Sequence, residues 1–184
     1  MKYLLFNKPY GVLCQFTDQE GRPTLKDFIP VPNVYAVGRL DFDSEGLLLL
    51  TDDGALNHRL ADPKYKQQKT YWVQVEGLPT EAALEKLRGG VLIQGKRTLP
   101  AQVRMLPDDQ GLWPRPKPIR FRKSIPTSWL EIKIQEGRNH QVKKMTAAAG
   151  LPCLRLVRVG IGPLKLGNLQ PGEYAFIKRP LLNG

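Results

Sequence analysis

The segment Gly38–Gly54, GRLDFDSEGLLLLTDDG, constrains the fold of this 184-residue chain more than any other part of it. It places five carboxylates around the uninterrupted apolar run Leu47–Leu50. A short apolar run with polar residues on both sides is typical of a strand that is buried on both faces. Gly46, directly before the run, allows the chain to return tightly. The segment therefore predicts a rigid buried strand that begins just after an acidic turn.

Two kinds of site can use such a turn. One is a calcium loop of the EF-hand type, whose ligand spacing the carboxylates partly match. The context argues against calcium, because Leu49 stands at a ligand position and Asp52 stands where a bidentate glutamate is usual. The stretch VYAVGRL before the turn also predicts a strand where an EF-hand needs a helix. The other interpretation is a catalytic aspartate, Asp41, presented at the end of that strand.

The charge of the chain indicates the class of its partner. A formal net charge of +11 and a pI near 9.8 favour a polyanion, with nucleic acid first and an anionic membrane surface second. No apolar run is long enough for a signal peptide or a membrane span. The two cysteines, Cys14 and Cys153, predict a reducing compartment, the cytoplasm. Together with His58 and His140 they lack the close spacing of a zinc site, so no metal is expected.

Short strand-like and helical segments alternate along the chain, which predicts a mixed α+β fold. Helices are expected after the N-caps Thr80 and Asn139, the second ending near Gly150, with Val142, Met145 and Ala149 on its buried face. Strands are predicted at Tyr3–Asn7, Tyr35–Leu40, Tyr71–Val75 and Trp129–Gln135.

The proline-rich segment Pro107–Pro126, PDDQGLWPRPKPIRFRKSIP, interrupts this pattern. Its density of proline excludes a helix and a central strand. Two interpretations remain open. The segment is either a solvated connection between two subdomains, or a loop whose cations meet RNA phosphates and whose aromatic rings stack on unpaired bases.

The acidic turn and the buried strand also resemble a known family. GRLD followed by SEGLLLLTDDG is similar to the signature segment of RNA pseudouridine synthases, in the branch that includes the small- and large-subunit ribosomal RNA enzymes. Four further blocks match in the expected order. They are NKPYGVLCQF at 7–16, KTYWVQVEG at 69–77, EGRNHQVKKM at 136–145 and LRLVRVGIGPLKL at 154–166.

This resemblance implies one catalytic domain over residues 1–184, with a mainly antiparallel central sheet flanked by short helices and a central cleft. No separate N-terminal RNA-binding module is expected. The implied reaction converts a uridine of ribosomal RNA into pseudouridine, and the large-subunit (23S) RNA is the expected substrate. It requires no cofactor, because the isomerisation has no redox change. We expect a monomer that binds no membrane.

The resemblance also assigns residues. Asp41 is the expected catalytic aspartate, Tyr71 packs against the target base, and Lys143 pairs with the aspartate, although many relatives have arginine at that position. Arg39 fills the space that the extruded base leaves. The residues expected to bind RNA elsewhere are Arg138, Asn139, His140, Gln141, Arg115, Arg120 and Arg122.

A non-catalytic protein that binds ribosomal RNA, such as a ribosome assembly factor, would use the same positive charge. Asp41 discriminates between the two functions. A pure binding protein has no reason to place a carboxylate between Arg39 and a rigid apolar strand, where it repels RNA.

Overall fold

A computed structural model describes residues 1–182, and the chain divides into two compact units. Unit 1 comprises Met1–Gln67 and the chain from Arg158 onward, and unit 2 comprises Gln68–Val157. The proline-rich segment lies entirely within unit 2, and the chain passes between the units after Gln67 and after Val157.

The strands of unit 1 form antiparallel pairs. Strand β1 (Tyr3–Lys8) pairs with β3 (Glu45–Thr51) on one side and with β11 (Tyr174–Phe176) on the other. Strand β2 (Tyr35–Val37) also pairs with β3, and β10 (Leu164–Lys165) pairs with the end of β9 (Cys153–Ile161), which begins in unit 2. Helix α1 spans Gly54–Ala61, and short 3-10 helices span Leu25–Asp27 and Pro63–Tyr65.

The predicted buried strand is β3, and all seven of its residues are buried. On one face, Leu48 and Leu50 lie opposite Phe6 and Leu4 of β1, and all four side chains are fully buried. Each such side chain stabilises the fold by about 1.5–3 kcal/mol. Because residues 45–51 form an extended strand, they do not wrap a calcium ion as an EF-hand loop would.

Helix α1 begins at a cap that ties it to the sheet. Asp53 accepts hydrogen bonds from the Tyr3 hydroxyl at 2.7 Å and from the Leu56 amide at 3.0 Å. These bonds, the one from Tyr3 first, hold the pKa of Asp53 below its ordinary value of 3.8. The ionised carboxylate therefore links the start of α1 to β1.

Unit 2 contains a second set of antiparallel strands with two helices. Strand β8 (Thr127–Ile134) pairs with β4 (Lys69–Glu76) on one side and with β7 (Gln102–Leu106) on the other. Strand β5 (Leu92–Ile93) pairs with β6 (Lys96–Arg97) as a separate hairpin. The helices are α2 (Glu81–Gly89) and α3 (Gln141–Ala148).

The core of unit 2 follows the alternation in the sequence. Tyr71, Val73 and Val75 of β4 are buried, and they pack with residues of β8, α2 and α3. The prediction of a mixed α+β fold with a mainly antiparallel sheet and short helices is confirmed. Helices α1, α2 and α3 have eight or nine residues each, and none within residues 1–182 is long and apolar enough to cross a membrane.

Helix starts were predicted with mixed success. Thr80 caps α2 as expected, since its hydroxyl accepts from the Ala83 amide at 3.1 Å. The expected cap Asn139 is wrong, because α3 begins one residue later, after His140. His140 has a left-handed backbone, with φ of 51°, and makes no side-chain cap. His140 therefore lacks both the extended backbone and the side-chain hydrogen bond of an ordinary N-cap.

Candidate active site

Asp41 lies half-buried in a tight turn that leads into β3. The Ser44 amide donates to the Asp41 carbonyl at 3.0 Å, which closes the turn. The next carbonyl, that of Phe42, accepts from the Gly11 amide at 2.9 Å and from Lys8 Nζ at 3.4 Å. The backbone around the aspartate is therefore fixed from within unit 1 by the loop that follows β1.

Lys8, the last residue of β1, is fully buried beside this turn. Its ammonium donates to the carbonyls of Pro9 and Val12, both at 2.8 Å. Burial lowers the pKa of Lys8 from 10.5 to about 8, because the charged form loses its hydration. The neighbouring groups whose negative charge opposes this shift are Cys14, Glu45, Asp43 and Asp41. Sequence reasoning missed Lys8, although a lysine that ends the apolar strand YLLFNK is a candidate for burial.

Gly46 fixes how closely β9 approaches the start of β3. A Cβ at this position would lie 2.2 Å from the Arg158 carbonyl oxygen, and the Gly46 φ is 110°. Arg158 is buried and donates from Nε to the Leu47 carbonyl at 2.9 Å. Only glycine fits this position, so the close approach of β9 to the start of β3 depends on it.

Arg39, two residues before Asp41, is exposed and follows Gly38, whose φ is 74°. Unit 1 thus contains two of the predicted site residues, Arg39 and Asp41, on one short stretch of chain. The cation of Arg39 is exposed, whereas the carboxylate of Asp41 is half-buried.

The other predicted site residues belong to unit 2. Tyr71 lies opposite Ile132 of β8, is 9% exposed and packs in the core of that unit. Lys143 is half-buried in the first turn of α3. The helix is anchored there, because Val142 and Met145 on the same turn are buried.

The loop before α3 is held together by two of the residues expected to bind RNA. Gln141 is buried. Its side-chain oxygen Oε1 accepts from the Arg138 backbone amide at 3.1 Å, and its side-chain Nε2 donates to the Glu136 carboxylate at 2.9 Å. The Arg138 guanidinium donates to the carbonyls of Ile93 at 2.7 Å and Lys96 at 3.1 Å. Both side chains therefore shape the loop, while Asn139 and His140 are exposed.

The three arginines of the proline-rich segment also contact the protein. Arg120 and Arg122 share the carboxylate of Glu76, at 2.9 Å and 3.4 Å. Arg115 donates to the carbonyls of Leu154 at 3.1 Å and Pro118 at 3.2 Å. These long-range contacts, which sequence reasoning did not anticipate, attach the segment to β4 and β9.

The acidic turn is suited to chemistry at a carbon atom. A carboxylate on a rigid backbone, beside a buried ammonium, can attack a carbon or remove a proton from it without first being reoriented. Within residues 1–182, no three His, Cys, Asp or Glu residues are placed to hold a metal ion. The candidate groups in unit 1 are therefore Asp41 and Arg39, with Lys8 supporting the turn.

Comparison with known proteins gives a consistent result. A sequence profile for the family described as RNA pseudouridylate synthase matches residues 2–148. Ribosomal large subunit pseudouridine synthase E of Vibrio vulnificus is 60% identical over 179 residues, which cover 97% of this chain and 76% of that protein. The protein of the same name from Xanthomonas axonopodis pv. citri is 61% identical over 170 residues, covering 91% and 90% of the two chains.

A solved structure agrees with the sequence relatives. The crystal structure of a pseudouridylate synthase superposes with a TM-score of 0.79 at 34% identity, and the match covers 96% of this chain and 70% of that one. The profile, the two relatives and this structure each cover most of the chain. The chain therefore belongs to the RNA pseudouridylate synthase family.

Proposed function

We propose that this protein converts a uridine of large-subunit ribosomal RNA into pseudouridine, with Asp41 as the catalytic residue. The observation that carries the proposal is the identity of about 60% to two proteins whose names state this activity. The net charge of +11 supports an RNA substrate, and it also favours a monomer because like-charged copies repel. The enzyme then acts in the cytoplasm, a reducing compartment in which the thiols of Cys14 and Cys153 are kept from oxidation.

The reaction rearranges atoms without a net change in oxidation state. The bond between ribose C1′ and uracil N1 breaks, the ring turns, and C1′ bonds to C5. The hydrogen at C5 leaves as a proton, and N1 gains one. Because the target atoms are stacked within RNA, the nucleotide is first extruded into a pocket, at a cost of a few kcal/mol.

Asp41 acts in this scheme as a nucleophile at C1′ or as a base toward a ribose proton. The fixed turn supports either role, because the carboxylate needs little reorganisation before it reacts. Tyr71 supplies a flat apolar face for the uracil, Lys143 stabilises the ionised aspartate, and Arg39 occupies the position that the base vacates. Asn139 and His140, exposed next to α3, contact the RNA backbone.

Asp41→Asn tests the proposal most directly. The amide keeps the shape of the side chain and removes its charge, so we expect RNA affinity within about twofold of wild type and no measurable isomerisation. Turnover is followed as tritium released from RNA labelled at uracil C5. The matched control is Asp43→Asn, since Asp43 is an exposed carboxylate in the same turn and should retain activity.

Isomerisation by Asp41→Asn at a rate near that of wild type would reject the catalytic assignment. A wild-type protein that binds large-subunit RNA but releases no tritium would instead indicate a binding protein. Mapping the pseudouridines of ribosomal RNA from cells with and without the gene then identifies the modified position, or shows that none depends on this protein.

A further inference from the structure

Phe121 is the most exposed aromatic side chain in the described part of unit 2. It is 80% exposed, whereas Trp113 at the start of the same segment is half-buried. We propose that the proline-rich segment is an RNA-binding surface, on which Phe121 stacks against an unpaired base while Arg122 and Lys123 contact the flanking phosphates. This inference rests on the proposed function, because it assumes that the substrate is RNA.

The segment is attached at its beginning, which reduces the entropy lost on binding. The Arg155 guanidinium is buried, lies 5.8 Å from the centre of the Trp113 ring and donates to the Trp113 carbonyl at 2.8 Å. Arg115 then bridges to Leu154 and back to Pro118. Arg115 is thereby assigned as an anchor of the segment rather than as a contact to phosphate.

The segment is attached at its other end as well. The Gly77 amide donates to the Pro126 carbonyl at 2.7 Å, and Glu76 pairs with Arg120 and Arg122. Prolines between these two attachments restrict the backbone further. Phe121 is therefore presented on a pre-ordered loop, which is the condition under which a single exposed side chain contributes most to binding.

The charge of the segment favours RNA over a protein partner. Five cations stand on Pro107–Pro126 against two carboxylates, Asp108 and Asp109. Glu76 balances only part of this excess, and the side chains of Arg120 and Arg122 remain 55% and 50% exposed. An aromatic ring flanked by cations in sequence matches the needs of a single strand, whose bases stack and whose phosphates require positive charge.

The decisive experiment distinguishes stacking from simple apolar contact. Large-subunit RNA transcribed in vitro is bound to wild type, Phe121→Ala, Phe121→Leu and Phe121→Tyr, and the dissociation constants are compared. We expect alanine and leucine to weaken binding by about 5- to 150-fold, the range for loss of one stacked base, and tyrosine to bind nearly as wild type. The control Leu78→Ala removes another exposed apolar side chain of unit 2 and should change nothing.

A salt series tests the phosphate contacts. Replacing both Arg122 and Lys123 by alanine should flatten the log–log dependence of affinity on salt by about 1.4, since each contact to a single strand contributes about 0.7. Turnover at saturating RNA should change little in every one of these variants. The melting temperature should stay within about 2 °C of wild type in the Phe121 and Leu78 variants, whose side chains are exposed. In the double variant it should fall further, because Arg122→Ala also removes an ion pair with Glu76.

Photocrosslinking shows what the surface touches. With a photoreactive phenylalanine analogue at position 121, irradiation of the complex with RNA should yield a protein–RNA adduct. Affinity unchanged in Phe121→Ala, or adducts formed only with ribosomal proteins in a cell extract, would overturn the inference. If wild type still releases tritium in that case, the proposed function stands and only the role of the segment is rejected.

Discussion

Replacing Lys8 by methionine should change how the stability of the protein depends on alkaline pH. Methionine keeps the unbranched shape and removes the ammonium. In the folded chain the pKa of Lys8 is about 8 instead of 10.5, so between these values the unfolded chain holds a proton that the folded chain has lost. The free energy of unfolding of wild type therefore rises with pH across this window. At about 1.4 kcal/mol per pH unit, the gain is about 3 kcal/mol.

At pH 7, below the window, two effects oppose each other. Methionine removes the cost of burying a charge, but it leaves the carbonyls of Pro9 and Val12 without their donor, at about 1–3 kcal/mol each. The stabilities of the two proteins should therefore differ by no more than about 3 kcal/mol. Turnover should fall more than RNA affinity, because the Phe42 carbonyl beside Asp41 loses a contact.

The assay is urea unfolding of both proteins from pH 7 to 10.5. Relative to Lys8→Met, wild type should gain about 3 kcal/mol over this range. The control Lys26→Met replaces an exposed lysine and should follow wild type throughout. If the free energy of unfolding depended on pH in the same way in wild type and Lys8→Met, the reasoning would be refuted, since Lys8 would then have the same pKa in the folded and unfolded chains.

Three further changes give measurable outcomes. Lys143→Ala should lower turnover by about 100-fold with little loss of RNA affinity, and Lys143→Arg should retain most of the turnover. A loss of RNA affinity in Lys143→Ala equal to its loss of turnover would argue against an electrostatic role. Gly46→Ala should lower the free energy of unfolding by about 3 kcal/mol or more, whereas Gly21→Ala, also at positive φ but in open space, should cost about 1 kcal/mol in urea unfolding. Asp53→Asn should lower the free energy of unfolding at pH 7, because the ionised carboxylate no longer accepts the Tyr3 bond. The difference in stability from wild type should vanish as the pH falls below 3.8 through the lowered pKa of Asp53, and a difference that persists would exclude the Tyr3 bond as its source.

Local patterns in the sequence predicted local structure well. The alternation of Tyr71, Val73 and Val75 identified one face of β4, and the run Leu47–Leu50 identified the buried strand β3. The absence of helix and strand from the proline-rich segment also followed from composition. These features depend on the period of the side chains and on the lack of an amide hydrogen in proline, both of which are encoded locally.

The family too was predicted from the sequence, and the comparisons confirm it. The contacts of individual polar and charged side chains were not predicted. Lys8 and Gln141 are buried, and Arg120 pairs with Glu76, 44 residues away. Such contacts depend on which strands become neighbours in the fold, and the local sequence does not identify the partner of a given side chain. The roles assigned to the site residues stay predictions until the variants are measured.

If Asn139 and His140 contact RNA as proposed, the loop before α3 is where substrate preference can be altered by design. The side chains of Arg138 and Gln141 bind other groups of the protein, so substitutions there would change the conformation of the loop itself. Positions 139 and 140 are exposed and can be randomised. At 140 the left-handed backbone restricts a useful library to glycine, asparagine, aspartate and histidine, because β-branched residues strain that conformation. Position 139 is therefore the main position of this loop at which all residue types can be tried.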